Sequence, residues 1–298
     1  MRVAQPLRTG PGVLQATSLR WLGPGQGWRL LGYVTMAVAV VLVGLPMYWM
    51  FIAAFKTNQE IFTSPPTWIP LAPTLDNFPA AWRQSPFGNF YINSLLYTLV
   101  SGSAKILQAV FSAYAFAFLR FPRKNLVFVL LLMALMIPDE FTVLPNFLTL
   151  ALVGWTNTYQ GLLLPGFVSA FGTFLLRQHF LSLPREVLDA ARVDGASYYR
   201  IYWNIMLPLA RPALLVVAVF EFQAKWNDFM GPLIYVQKPE LVTLPLGLQQ
   251  FVEHQGYGQF QWELLFAASV LVTLPMIILY FLTQKQFVQG IATTGIKG

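Results

Sequence analysis

The chain contains no cysteine among its 298 residues and only two histidines, His179 and His254, far apart in sequence. Without cysteine there is no disulfide framework, thiolate nucleophile or iron–sulfur site. No H-E-x-x-H run offers a catalytic zinc, and no G-x-x-x-x-G-K-[ST] loop can cradle nucleotide phosphates. Charge is equally scarce. Lys, Arg, Asp and Glu make up 10% of the chain, where soluble domains carry about 25%. Apolar residues make up 56%, with Phe alone occurring 25 times. A surface with so few charges would present large apolar patches to water. An ordinary soluble enzyme and a disordered chain are therefore excluded, and a polytopic membrane protein is the reading that fits.

The apolar runs predict an all-α protein with six transmembrane helices at 30–55, 89–119, from 125 onward, 159–180, 207–226 and 264–284. The third is interrupted by Pro138-Asp139-Glu140 and by Pro145. The chain divides into a variable tail 1–29, a first span 30–55, an extracytoplasmic Pro-rich loop 56–88, a transmembrane core 89–284 with a polar loop at 183–208, and a tail 285–298. The first span is too long for a cleavable signal peptide. Placing the N-terminus in the cytoplasm puts 14 of the 19 Lys and Arg on that side. This follows the positive-inside rule, so both ends are expected in the cytoplasm. The net charge of +7 then needs no nucleic-acid partner. No internal repeat of the kind that builds many secondary transporters is visible. Six spans without one suggest half of a pore completed by another subunit.

The loop between the fourth and fifth spans is the most informative stretch. From Pro184, residues 185–193 alternate charged and apolar groups at helical spacing, with Val187, Leu188 and Ala191 able to share a face. Asp194-Gly195 stops that helix, and Ser197 can cap a second short one. Two bent short helices can be an amphipathic linker on the headgroups or a docking surface. The small residues Ala190, Ala191 and Gly195 favour docking because they permit close approach.

This stretch resembles the EAA loop of ABC-importer permeases, in which Glu-Ala-Ala is followed by Asp-Gly and then by Ile-x-Leu-Pro. Here the sequence reads Asp189-Ala190-Ala191, Asp194-Gly195 and Ile205-Met206-Leu207-Pro208, with Asp189 in place of the family's Glu. The likeness extends to the carbohydrate branch and its maltose-permease-like second subunit. It is carried by Asn93-Ser94, Tyr114-Ala115-Phe116, Ile137-Pro138, Phe174 to Gln178, Trp226-Asn227-Asp228, and the ending Gly290 to Gly298. The N-terminal 28 residues or so lie outside it.

The resemblance implies a permease subunit in a bacterial or archaeal plasma membrane, and no enzyme. It would pair with a second, related permease, a separate ATPase dimer that binds ATP and Mg, and an extracellular solute-binding protein delivering a carbohydrate. The chain itself would hold no cofactor. Carried over for ATPase coupling are Glu186, Asp189, Ala190, Ala191, Asp194, Gly195, Leu207 and Pro208. Gly295, Lys297 and Gly298 are carried over for contact of the C-terminal tail with the ATPase.

Four ionisable residues fall within apolar segments: Lys105, Asp139, Glu140 and Glu221. Counted at about 1.5 Å per residue from the inner ends of their segments, all four reach about 21–23 Å, a common depth in the outer half of the bilayer. A lone charge there costs several kcal/mol, so Lys105 is expected to face one of the acids. The group either holds spans together or lines the pathway. At the outer end of the fifth span, Trp226, Asn227 and Asp228 are candidates for sugar stacking and hydrogen bonding or an outer gate, and Trp226 equally for an interface anchor. Glycerol phosphate or another polar solute stays open as substrate. A self-sufficient secondary transporter would need an ion relay, and none is evident.

Overall fold

The computed structural model describes residues 26–254 and 260–295. Every regular element among them is helical. In chain order these are α1 (Gln26–Ala53), α2 (Asn58–Ile61), α3 (Asn77–Gln84), α4 (Phe87–Leu96), α5 (Gly102–Phe118), α6 (Lys124–Ala134), α7 (Asp139–Leu152), α8 (Tyr159–Leu163) and α9 (Ala170–Ser182). They continue with α10 (Arg185–Val193), α11 (Tyr198–Ile201), α12 (Leu207–Leu209), α13 (Arg211–Trp226), α14 (Met230–Tyr235), α15 (Leu244–His254) and α16 (Trp262–Gly295). Residues up to Trp49 form one compact unit and those from Met50 another.

Among the described residues, three uninterrupted helices are long and apolar enough to span a bilayer: Trp28–Ala53, Phe87–Phe118 and Trp262–Gln284. The second is continuous because a π-turn, Tyr97–Ser101, joins α4 to α5. Two more candidates are bent pairs. α6 and α7 meet at 98°, where Leu135 and Met136 close tight i→i−3 turns and Pro138 ends the ladder. Tyr198–Leu209 meets α13 at 76°, with a π-turn at Tyr202–Met206 ahead of Pro208 and the break at Ala210. A proline nitrogen has no proton to give, so the helix widens and turns rather than running straight.

The expected span 159–180 is not one helix. It is α8, five residues long, then an irregular stretch through Pro165-Gly166, then the 13 residues of α9. At 1.5 Å per residue α9 reaches only about 20 Å, short of a bilayer core of about 30 Å. Among the described residues, three unbroken helices and two bent pairs are long and apolar enough to span a bilayer. Tyr198–Leu209, which overlaps the polar loop 183–208, is part of one of those pairs. The loop 56–88 contains α2 and α3, and α16 runs through the expected boundary at 284.

The core is built where α5, α9 and α13 cross. Gly172 makes the crossing possible, since a Cβ there would lie 3.0 Å from Ala109 Cβ and 3.1 Å from Val217 Cγ1. Ala109, Val110, Ala113, Leu176, Phe180, Ala213 and Val217 fill it. A second cluster joins α3, α4, α15 and α16.

Candidate functional site

One end of the α5–α9–α13 core carries the short helix α10. Its inward side chains, Leu188 and Ala191, are buried in the same cluster as Tyr114, Phe180, Tyr202 and Met206. Leu183 and Ala196 pack beside them. Tyr114 Oη donates to the Tyr198 carbonyl at 3.0 Å. The helix ends in a Schellman turn: Gly195 N donates to Arg192 O and Ala196 N to Ala191 O, both at 3.0 Å. Gly195 adopts φ +75°, and a Cβ there would meet nothing within 4 Å. Ser197 then caps α11 by accepting from Arg200 N at 3.3 Å.

Glu186, Asp189, Ala190, Asp194, Gly195 and Pro208 are exposed along this end, with Val193 87% and Tyr199 72% exposed. Leu207 packs against the core. Ala191, three residues after Leu188, turns into the chain's own core and is 7% exposed. Val187 does not share their buried face, being 39% exposed. Gly295 is the last residue of α16, and Lys297 and Gly298 lie outside the described residues. Truncating Leu188 to Ala is expected to cost about 2–5 kcal/mol, because the cavity opens between three helices. Thermal unfolding in detergent would read this as a lowered midpoint.

The opposite end of the same helices holds a polar cavity of about 380 Å³. Its walls bring together Lys105 from α5, Asp139, Glu140 and Asn146 from α7, Gly166 from the α8–α9 break, and Lys225, Asn227 and Asp228 from the end of α13. Lys105 Nζ lies 3.2 Å from Glu221 Oε2. Glu221 stands behind the wall, 5% exposed, and its other oxygen accepts from Ser169 Oγ. Ser169 in turn caps α9, accepting from Gly172 N at 2.9 Å, and its own N–H donates to Gln108 Oε1 at 2.7 Å. The ion pair is thus tied to the start of α9.

A second cluster was not read from the sequence. Lys225 Nζ donates to Tyr97 Oη at 2.7 Å and lies 3.4 Å from Asp228 Oδ2. Tyr97 donates to the same carboxylate oxygen at 2.5 Å, and Gly231 N donates to Asp228 Oδ1 at 3.1 Å. Gly166, at φ +77°, sits between the lysines: a Cβ there would be 3.8 Å from Lys225 Nζ and 3.9 Å from Lys105 Cε. A second lysine thus lines the cavity beside Lys105. The signal was present, since Lys225 follows Glu221 by four residues and so shares its helix face.

Trp226 is not a sugar platform. Its indole is 1% exposed, stacks on Phe222 at 5.5 Å, and donates from Nε1 to Val272 O at 3.1 Å. Four residues separate Phe222 and Trp226, which places both against α16, while Asn227 and Asp228 pass to the cavity.

Residues 87–293 match the family described as binding-protein-dependent transport system inner membrane component. The sn-glycerol-3-phosphate transport system permease protein UgpE of Pectobacterium atrosepticum is 35% identical over 272 residues, 89% of this chain and 96% of that protein. The arabinooligosaccharides transport system permease protein AraQ of Halalkalibacterium halodurans is 32% identical over 283 residues, 94% of this chain and 99% of that protein. Among solved structures, a bacterial ABC transporter involved in the import of the acidic polysaccharide alginate has a chain of similar fold. Its TM-score is 0.79 at 19% identity, covering 89% of this chain and 98% of that one. With an ion-paired cavity at one end of a helical core and a docked short helix at the other, the chain belongs to the binding-protein-dependent inner-membrane components, the permease subunits of ABC importers.

Proposed function

We propose that this subunit forms half of the pathway of an importer for a neutral carbohydrate, and that α10 couples the pathway to a separate ATPase. The charge balance of the cavity carries the substrate reading. Lys105 and Lys225 face Asp139, Glu140 and Asp228, with Glu221 directly behind Lys105, so two cations meet four carboxylates. Each lysine already has an acid within 3.4 Å. A phosphate ester or uronate entering this space would meet excess like charge. Sugar hydroxyls, which both donate and accept, suit the mixture of ammonium, carboxylate and amide groups.

Coupling through α10 is supported by its burial in the helices that also form the cavity. Lys225 stands 14 residues along α13 from Arg211, about 21 Å at helical rise, so motion of α10 is carried to the cavity by rigid helices. ATPase closure would shift α10, and the subunit would then stabilise an inward or an outward cavity differentially. The partners proposed are a second permease, an ATPase dimer and an extracellular binding protein. The asymmetry of Lys and Arg supports a cytoplasmic side for both termini and α10.

A second reading, a glycerol-phosphate importer, is favoured by the two lysines and by the name of the 35% identical relative. Reconstituted importer with its binding protein separates them. Neutral oligosaccharides are expected to stimulate ATP hydrolysis while sn-glycerol 3-phosphate does not; the reverse pattern refutes the neutral-sugar assignment.

A further inference from the structure

We infer that the loop between α1 and α3 is an interfacial anchor that seats its apolar side chains in the lipid leaflet on the side away from α10. This segment begins two residues after α1 ends and closes on itself there, Thr74 N donating to Phe55 O at 3.0 Å. It is also tied to the start of another span. Asn58 Nδ2 donates to Phe260 O at 2.8 Å, and the Phe62 ring packs edge-on against Trp262 at 5.9 Å. Trp262 is the first residue of the span Trp262–Gln284. The loop is thereby held at the depth where membrane spans meet water.

Its side chains are sorted accordingly. Between residues 56 and 75 the only ionisable groups are Lys56 and Glu60, and both are turned inward, 0% and 8% exposed. Thr67 bridges both by hydrogen bonds. Lys56 Nζ donates to its carbonyl and, at 2.8 Å, to its hydroxyl, and that hydroxyl donates to Glu60 Oε1 at 3.2 Å. Leu71 N donates to the same carboxylate oxygen at 2.7 Å. With its charges spent internally, the loop presents Ile69 at 73%, Leu71 at 79% and Leu75 at 69% exposure, with Trp68 half exposed beside them. A water-facing loop would show the opposite sorting. The bilayer is the occupant because the surface is continuous in depth with span ends. The chemistry is that of interfacial segments, with Trp and aliphatic groups at the boundary and no outward charge.

The absence of cysteine makes the test direct. Single variants Ile69→Cys and Leu71→Cys carry a nitroxide in the complete importer, held in phosphatidylethanolamine–phosphatidylglycerol nanodiscs. Accessibility to oxygen and to a water-soluble nickel chelate is measured. Val40→Cys, in the first span, and Lys238→Cys, exposed beyond α14, supply the lipid and water references. The oxygen-to-nickel ratio at 69 and 71 is expected several-fold above that at 238, approaching that at 40, and unchanged by added binding protein. A ratio equal to that at 238 overturns the anchor. So does shielding from both probes, or nickel access that disappears only when binding protein is added, because each assigns the surface to a protein partner or to water. Substrate-stimulated ATP hydrolysis by each labelled complex confirms that the chain is folded.

Discussion

Replacing Lys105 with Met is expected to destabilise the subunit by about 3–5 kcal/mol, because Glu221 is left as an uncompensated buried charge. The carboxylate is 5% exposed, and its second oxygen is bound to the Ser169 hydroxyl that caps α9. Losing the ammonium 3.2 Å away therefore strains the start of α9 as well as the α5–α13 contact. Substituting both partners, Lys105→Met with Glu221→Gln, removes the charges together and is expected to restore most of the stability. The amide keeps an oxygen for Ser169 Oγ, and paired buried charges exchange for neutral groups at small net cost. Assembly measured by copurification, set beside uptake by the same cells, separates two roles. If the double variant assembles and transports, the pair holds spans together. If it assembles and does not transport, the ammonium acts in the pathway itself.

Gly195→Asp is expected to abolish coupled transport while leaving the subunit inserted. A Cβ at this position meets no atom of the chain within 4 Å, so the substitution creates no clash inside the bundle. Its cost within the fold is the backbone: a side-chain residue held at φ +75° pays roughly 1–2 kcal/mol, softened for Asp by its tolerance of the left-handed region. Most of the effect is then external, a new carboxylate projecting from the end of α10 beside Asp194 and the exposed Val193. Membrane yield near that of the unaltered chain with substrate-stimulated ATP hydrolysis lost fits this account. Unaltered copurification and transport contradict it.

The sequence shows the membrane class and the α10 loop because both are written in local pattern. Apolar runs and the Asp189 to Gly195 spacing need no knowledge of distant residues. Failures came where tertiary contacts decide. The run 159–180 reads as a span by composition, yet Pro165-Gly166 divides it, and the left-handed Gly166 places its backbone between two lysines. Trp226 carries the composition of a sugar platform but lies one helical turn from Phe222, and the indole proton is taken by Val272 O. Ala191 looked available for docking until Leu188, one turn earlier, fixed which face is buried. Tyr97 could not have been found at all, because its partners Lys225 and Asp228 lie 128 and 131 residues away. Helix α15 is likewise not among the elements predicted from the apolar runs. Its position is set by buried contacts to α4, where Leu244 N donates to Ser94 Oγ at 2.7 Å.

Helix α10 is keyed into the helical core on one side, and the proposed coupling requires an ATPase to grip the other. Single cysteines at Ala190 and Val193, in the otherwise cysteine-free chain, test it by cross-linking to the ATPase subunit in native membranes. Both positions are exposed and point away from the buried Leu188 face. Specific cross-links to the ATPase, changing in yield when ATP is added, are the predicted result. Cysteines that form no cross-link but react readily with a lipid-soluble maleimide would show α10 resting on the membrane instead.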